Sequence, residues 1–451
     1  MTPPTIILLA GFVLWVLVAP RLWALVGMVA GLLFLTQGQS LQIAGANFYP
    51  SRILVYACVL RVWNRKEFSF DQFTRLDRSL VILYGFVTVV LLIRPGESKP
   101  LAIARLMDVL FGYFSFRGLL RTPDEFRWFL RVLVFMLVPY VALLALESFT
   151  HKNPFAILGG NRAAWLRDGK LRCFGSFLHP SILGTLGASF APVFIALMWD
   201  RSARRWALAG LLACLAIVVF SNSGGPLSAM AVAVAGWFVW PMRHRMRLFR
   251  RSVAAMLVVV GALMKAPIWY LPSRVSSITG GTGWHRSYLM DVAFRHFGEW
   301  WFLGMPMKNT IGWFPYRLEA TGGADITNQY IAFGLAAGLL AVLLFIVVLV
   351  RGYSMLGEAL GNLRESLPNE PGEERLVWGL GVMLTVHVTN WLGITYFDQF
   401  QFIWLLQLAA IASITRFWTD EAFEEDEDDE EEEDAESRPP QPGWLLDDEP
   451  L

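Results

Sequence analysis

The chain has 451 residues, 55% of them hydrophobic and 17% charged, with a mean hydropathy of +0.47 and a formal net charge of +1. Soluble domains carry about a quarter charged residues, so this composition excludes an ordinary soluble enzyme and points to a multi-pass membrane protein. Three cysteines, Cys58, Cys173 and Cys214, are too few and too scattered for a disulfide framework or a zinc cluster.

A bilayer core needs about 20 apolar residues per helix. In chain order the apolar runs fall at roughly 4–19, 22–35, 50–63, 79–93, 100–119, 126–147, 181–199, 206–221, 226–241, 252–268, 328–350, 376–395 and 399–417. They predict an all-α polytopic bundle of about 12 transmembrane helices, with 100–119 the least secure because it holds Arg105 and Asp108. The first run is followed at once by a second, so no cleaved signal is expected. Nineteen tryptophans suit interfacial positions, where indole sits at headgroup level.

The loops set the orientation. Residues 242–251 carry five arginines, the densest basic cluster in the chain, which places this loop in the cytoplasm. Counting outward puts 64–78, 117–127 and 200–205 on the same side. It puts 94–99, 148–180, 222–226, 269–327 and 396–398 outside, with an external N-terminus. Residues 269–327 form the one large loop in membrane domain 1–419. A chain otherwise committed to lipid keeps its chemistry in such a place. The tail, 420–451, holds 17 Asp/Glu against one basic residue, Arg438. That leaves 37 Lys/Arg against 20 Asp/Glu in residues 1–419. Like charges without apolar partners predict a disordered cytoplasmic tail.

Three external segments hold unusual residues. Residues 172–184 run from Arg172 through Gly175 and His179 into Pro180, a residue suited to the first turn of a helix; an arginine there commonly snorkels to lipid phosphates. Residues 282–304 include Trp284, His285, Arg286, His296, Trp300 and Trp301. Helical spacing puts Arg286, Met290, Ala293 and Phe297 on one face, and His285, Leu289, Val292 and His296 on another. The two histidines lie about 16 Å apart along a straight helix, which disfavours a shared metal. Residues 325–338 place Asp325, Thr327 and Asn328 at the head of a span, with Gly334 and Gly338 one turn apart for close packing.

Taken in order, these motifs resemble a known superfamily. Arg172-Cys-Phe-Gly175-Ser-Phe177-Leu-His-Pro180 before a span, Ser221-Asn-Ser223-Gly224 at a span end, and a large external loop with Arg286 and Gly304-Met-Pro306 are similar to the O-antigen ligase and O-antigen polymerase superfamily of bacterial inner-membrane proteins. The resemblance covers about 170–350; the flanking spans agree only in number and hydrophobicity. It implies a metal-independent membrane glycosyltransferase without cofactor, acting at the periplasmic face of the inner membrane. Its partners would be an undecaprenyl-diphosphate-linked saccharide, an acceptor glycan or lipid and the surrounding membrane lipids, with no nucleic acid. Arg172 and Arg286 match the family's arginines, which would neutralise the departing diphosphate.

The chain departs from the ligase pattern at one position. Where the ligases carry histidine nine residues plus one before a glycine, this sequence has Thr327-Asn328 and Gly338. Threonine cannot accept a proton near neutral pH, so the base falls to Asp325 first, Asp398 second and the loop histidines His285 and His296 third. For Asp325, N-capping of the next helix is an equal alternative. Thr327, Asn328, His285 and Trp284 are candidates for substrate contact. A non-catalytic carrier or flippase for a lipid-linked or anionic glycan is the competing reading. It draws on His387 and Asn390 inside a span, because carriers keep polar groups near the midplane.

Overall fold

The computed structural model describes residues 1–43, 46–162, 165–167, 169–274, 283–315, 323–367 and 371–437. For 43, 46 and 420–437 only the backbone is described. The helices are α1 Pro3–Val18, α2 Arg21–Phe34, α3 Pro50–Asn64, α4 Arg75–Ile93, α5 Lys99–Leu119, α6 Pro123–Thr150, α7 Pro180–Leu197, α8 Arg204–Ser221, α9 Gly224–Phe238 and α10 Met246–Leu263. They continue with α11 Gly283–Arg295, the single turn α12 Phe297–Trp300, α13 Gln329–Ser366, α14 Pro371–Asn390 and α15 Phe400–Ser437. Two small antiparallel hairpins, β1 Leu41–Ile43 with β2 Ala46–Phe48 and β3 Trp165–Arg167 with β4 Lys170–Arg172, sit among the connections. Hydropathy gives no sign of either.

The chain is all-α in its body and multi-pass in character. Among the described residues six helices, α4, α6, α7, α8, α13 and the first half of α15, are long and apolar enough to cross a membrane. A seventh counts if residues 240–263 and Ile268–Arg274, bent by 95° from each other, form one broken span. The apolar runs predict more because some fall on helices too short to span, and others on helices long enough but more charged, such as the 21-residue α5 with Arg105 and Asp108. At 16, 14 and 15 residues, α1, α2 and α9 reach only about 21–24 Å, against a hydrocarbon core of about 30 Å.

α7 forms the centre of the bundle, buried along nearly its whole length with α8, α9 and α14 against it. Small residues allow this: a Cβ on Gly187 would stand 2.4 Å from the Cys214 carbonyl oxygen on α8, so only glycine permits that approach. Successive helices run between two ends. One end is laced by ion pairs: Arg61–Glu67 at 2.8 Å, Arg117–Asp77 at 3.2 Å, Arg21 with Glu125, Arg127 with Glu373, and Arg243 and Arg364 both on Glu374. The other end gathers the β3–β4 hairpin, the head of α7, the α8–α9 turn, α11 and the α14–α15 turn.

Several expectations need correction. α13 is broken at Ala337 (φ −153°) and Gly338 (φ +81°). Gly334 does pack as expected, since a Cβ there would meet the Trp300 ring at 2.5 Å. Gly338 instead lets the 301–305 segment enter the break: Leu339 N–H donates to Trp301 O at 2.7 Å, and Met305 N–H to Leu335 O at 2.8 Å. Arg94 covers the released carbonyls, donating to Leu335 O at 3.2 Å and Ala336 O at 3.0 Å, a cation at a helix C-terminus. Trp300 is not interfacial; it is 3% exposed and donates to Ala293 O at 2.9 Å inside a small core with Leu289 and Met290. The described backbone carries α15 on as a helix to Ser437; glutamate has good intrinsic helix propensity. Residues 275–282 and 316–322 of the large loop and 438–451 of the tail lie outside the described residues.

Candidate functional site

The site is organised by the turn between α8 and α9, Ser221-Asn222-Ser223-Gly224. Asn222 takes a left-handed φ of 41° and stops α8, a conformation asparagine tolerates. Ser223 stands at the N-cap of α9 but does not cap it; its hydroxyl donates to Ser221 O at 2.9 Å. The first-turn N–H groups of α9 therefore have no side-chain acceptor, and the positive end of the helix dipole is uncovered.

Two arginines are drawn to this spot. Arg172 closes strand β4, is 4% exposed, and donates from Nη2 to Ser223 Oγ at 2.6 Å and Ser181 Oγ at 3.3 Å. Its guanidinium lies over the Trp165 ring at 5.6 Å, and its Nε has no partner. It does not snorkel, because the loop before α7 folds it inward. Arg286, near the head of α11, comes from the opposite side: a Cβ built on Gly225 would stand 3.2 Å from its Nη2, and one on Gly393 2.5 Å from its Nη1. Side chains at either glycine would push the guanidinium away. Neither arginine has a carboxylate partner among the described residues, in contrast to the paired arginines at the other end. Burial lowers the affinity of both for their proton, and Arg286 and Arg167 add repulsion at Arg172. Two uncompensated cations against an uncapped helix N-terminus create a field that only an anion relieves.

The loop bearing Arg172 is held from below. Glu147 of α6, fully buried, accepts from Phe174 N–H and Gly175 N–H, each at 2.9 Å. Tyr140 Oη accepts from Ser176 N–H at 3.1 Å, and Gln399 Nε2 donates to Ser176 O at 3.1 Å. Gly175 has φ +56°, and a Cβ there would sit 2.4 Å from Tyr140 Oη. Position 175 is thus confined to glycine by both backbone and space. Cys173 N–H donates to Phe220 O at 3.0 Å, tying the same loop to the end of α8.

Asp398 enters through this loop. Its Oδ2 accepts from Leu178 N–H at 2.8 Å, while Oδ1 is buried without a partner. Burial pushes its pKa up to about 7, against the lowering effect of the Leu178 and Gln399 N–H groups. An orphaned carboxylate oxygen with that affinity can take a proton near neutrality. His179, the N-cap of α7, accepts from Ser181 N–H through Nδ1 at 3.1 Å. Burial, then Arg172, Arg286 and Arg167, push it down to about 4, so it is neutral at pH 7. It stands edge-on to Trp165 and Phe397, with centroids 6.3 and 6.4 Å away.

Asp325, Thr327 and Asn328 lie at the same end, across the α14–α15 turn. The N-cap of α13 is Asn328, accepting from Ile331 N–H at 3.1 Å and donating to Leu392 O at 3.3 Å. Asp325 is therefore not the helix cap. It is exposed, accepts from Thr327 N–H at 2.8 Å, and has Thr395 Oγ1 at 3.4 Å. Thr327 carries φ 49° with its hydroxyl buried and unpartnered. A β-branched residue in the left-handed region is strained, and such strain concentrates at functional sites. Among the described residues, three of the five left-handed non-glycine residues, Asn222, Thr327 and Asp398, border this region.

The remaining candidates are peripheral. Trp284 is 62% exposed and meets His285 at 5.6 Å between ring centroids. His296 ends α11, bonds Glu299 at 2.6 Å and stacks on Trp313 at 4.5 Å. It is a packed residue at the junction of α11 and α12, its N–H still donating to Val292 O at 3.2 Å. Among the described residues no group of three His, Cys, Asp or Glu could hold a metal ion. Sequence reasoning missed Glu147, Tyr140, Gln399, Gly225 and Gly393. Only Glu147, an acid inside an apolar run, carried any signal. In comparison with known proteins, no protein-family model matches the chain, and no curated protein matches it.

Proposed function

We propose that the chain transfers a saccharide from a lipid diphosphate to an acceptor glycan at the external face of a bacterial inner membrane, in the manner of an O-antigen polymerase or an atypical ligase. The single observation that carries this reading is the pair Arg172 and Arg286, both without a carboxylate partner among the described residues and both against the uncapped start of α9. A diphosphate leaving group needs such an environment, and a planar guanidinium binds phosphate oxygens bidentately. In the proposed step the acceptor hydroxyl oxygen bonds to the anomeric carbon. The bond from that carbon to the phosphate oxygen breaks, and the lipid diphosphate departs with the electron pair. The hydroxyl proton passes to Asp398, whose raised proton affinity makes it the better base; Asp325, exposed at the rim, is suited to orienting the acceptor.

The fuller topology belongs to the same proposal: about 12 traverses, with α1, α2 and α9 crossing as short helices, and the Arg243–Arg251 cluster in the cytoplasm. The rival reading, a carrier, is supported less. His387 is fully buried, with Nδ1 2.7 Å from Tyr396 Oη and Nε2 bonded to Gln407, and Asn390 donates to Thr185 Oγ1 at 3.1 Å. These groups are committed to one another, which leaves little capacity for cargo. The test is replacement of Arg286 by Ala in the native cell. Lipid-linked saccharide should accumulate and the surface polymer should fall by roughly 100-fold, the cost of losing one transition-state donor. Normal polymer at normal protein level would remove the proposal.

A further inference from the structure

The end of the bundle opposite the site carries a strong unbalanced charge. Arg201, Arg204, Arg205, Arg245, Arg247, Arg250 and Arg251 are exposed, and none has an ion-pair partner among the described residues. They flank the Trp199–Trp237–Trp240–Trp378 cluster, whose rings also hold Arg243 and Arg375 at 4.5–5.9 Å. α10, which carries three of the seven and follows directly on Arg245, contributes no residue to the core. These seven arginines are therefore cationic surface that no described residue of the bundle pairs.

The chain itself contains the complementary charge, rooted at the same end. Residues 424–434 are eleven consecutive Asp or Glu. The root of this segment is fixed at the same end of the bundle: Asn362 Nδ2 donates to Trp418 O at 3.1 Å, and Arg364, two residues along α13, shares Glu374 with Arg243. Fully extended, the chain from Thr419 reaches at most about 18 Å to Glu424 and about 54 Å to Asp434. Eleven adjacent anions repel one another along a helix or an extended chain alike, and that repulsion falls when cations lie within a Debye length, about 8 Å at physiological salt.

We infer that the acidic segment 424–434 docks on the arginine collar of residues 201–205 and 243–251 of its own chain, as a strap held by charge. The tether makes binding intramolecular, so individually weak, exposed ion pairs act at high effective concentration. Free polyanions and anionic headgroups then meet a collar that is already occupied. The strap is independent of any chemistry at the opposite end.

The experiment uses the full chain in zwitterionic nanodiscs, with labels on Ser252→Cys and Ala435→Cys. The native cysteines, Cys58, Cys173 and Cys214, are buried and stay unlabelled. Spin-label distances should show a dominant short population at low salt that moves to a broad, longer distribution in 1 M salt, where the Debye length is about 3 Å. Arg245, Arg247, Arg250 and Arg251→Gln together should give the long distribution at low salt. A monodisperse profile for this variant keeps the comparison free of misfolding. Independently, a labelled peptide of residues 420–437 should bind the unlabelled full chain at least tenfold more weakly than a chain ending at Thr419. Distances that ignore both salt and the four substitutions, or equal peptide binding by the two chains, would overturn the strap.

Discussion

Replacing Asp398 by Asn provides a quantitative test of the site's electrostatics. The folded protein holds the Asp398 proton with a pKa of about 7, against 3.8 for the unperturbed group, because its burial outweighs the two N–H groups that favour the anion. The native state thus binds this proton more tightly than the unfolded chain. The resulting stabilisation is complete below the unfolded value and is lost as pH rises through about 7. A difference of three units corresponds to about 4 kcal/mol. For a chain of this length that is roughly 4 °C in apparent melting temperature. The assay is thermal unfolding of the purified protein in detergent at intervals from pH 4 to pH 8. The wild-type melting temperature should fall across this window relative to Asp398→Asn, which has no proton to lose. Parallel profiles in the two proteins would refute the assignment. If Asp398 is the base, transfer should also rise with pH and level off above about 7.

Three further outcomes follow from the same contacts. Glu147→Gln keeps the shape but turns an amide NH2 toward the Phe174 and Gly175 N–H groups, leaving one buried donor unsatisfied. It should cost about 2–3 kcal/mol in thermal unfolding, and an unchanged melting curve would show that another acceptor takes its place. Gly175→Ala combines a left-handed backbone with a 2.4 Å approach to Tyr140 Oη, which should destabilise by about 2–4 kcal/mol and reduce transfer by displacing Arg172. Ending the chain after Thr419 should leave the bundle folded, with elution from a sizing column unchanged, since no core-forming pattern follows that residue; loss of the protein from the membrane would give the tail a structural role.

Part of this site could be read in the sequence, for a definite reason. Arg172, Ser223 and Asp398 are polar residues close to the mouths of apolar runs, and Arg286 lies in the one large loop between two such runs, so each has few places to go. Ordering them around one face brings them near each other without any knowledge of the packing. What could not be read depends on contacts between distant segments. Nothing in the sequence pairs Glu147 with the 174–175 amides, or places Gly225 and Gly393 on either side of Arg286. Trp300 reads in the sequence as a residue for the membrane interface or for a sugar ring; it is buried because Gly334 opens a slot for its ring. The broken α13 was hidden inside an unbroken apolar run, where Gly338 reads as a packing glycine until the 301–305 segment is seen entering beside it. Asp325 ranked above Asp398 on proximity to Thr327, yet burial gives Asp398 the proton affinity a base requires.

The most direct measurement of the central claim is transfer by the purified protein in proteoliposomes. The donor is the undecaprenyl-diphosphate-linked saccharide extracted from cells lacking the gene, and mass spectrometry follows release of the undecaprenyl diphosphate. The wild type should release the carrier and lengthen or transfer the glycan in equal amounts, with no added metal or nucleotide. Arg286→Ala and Arg286→Lys should both be slower by roughly 100-fold. A wild-type protein that moves the intact lipid-linked saccharide between leaflets without releasing the diphosphate, or an Arg286→Ala protein as fast as wild type, would contradict the account.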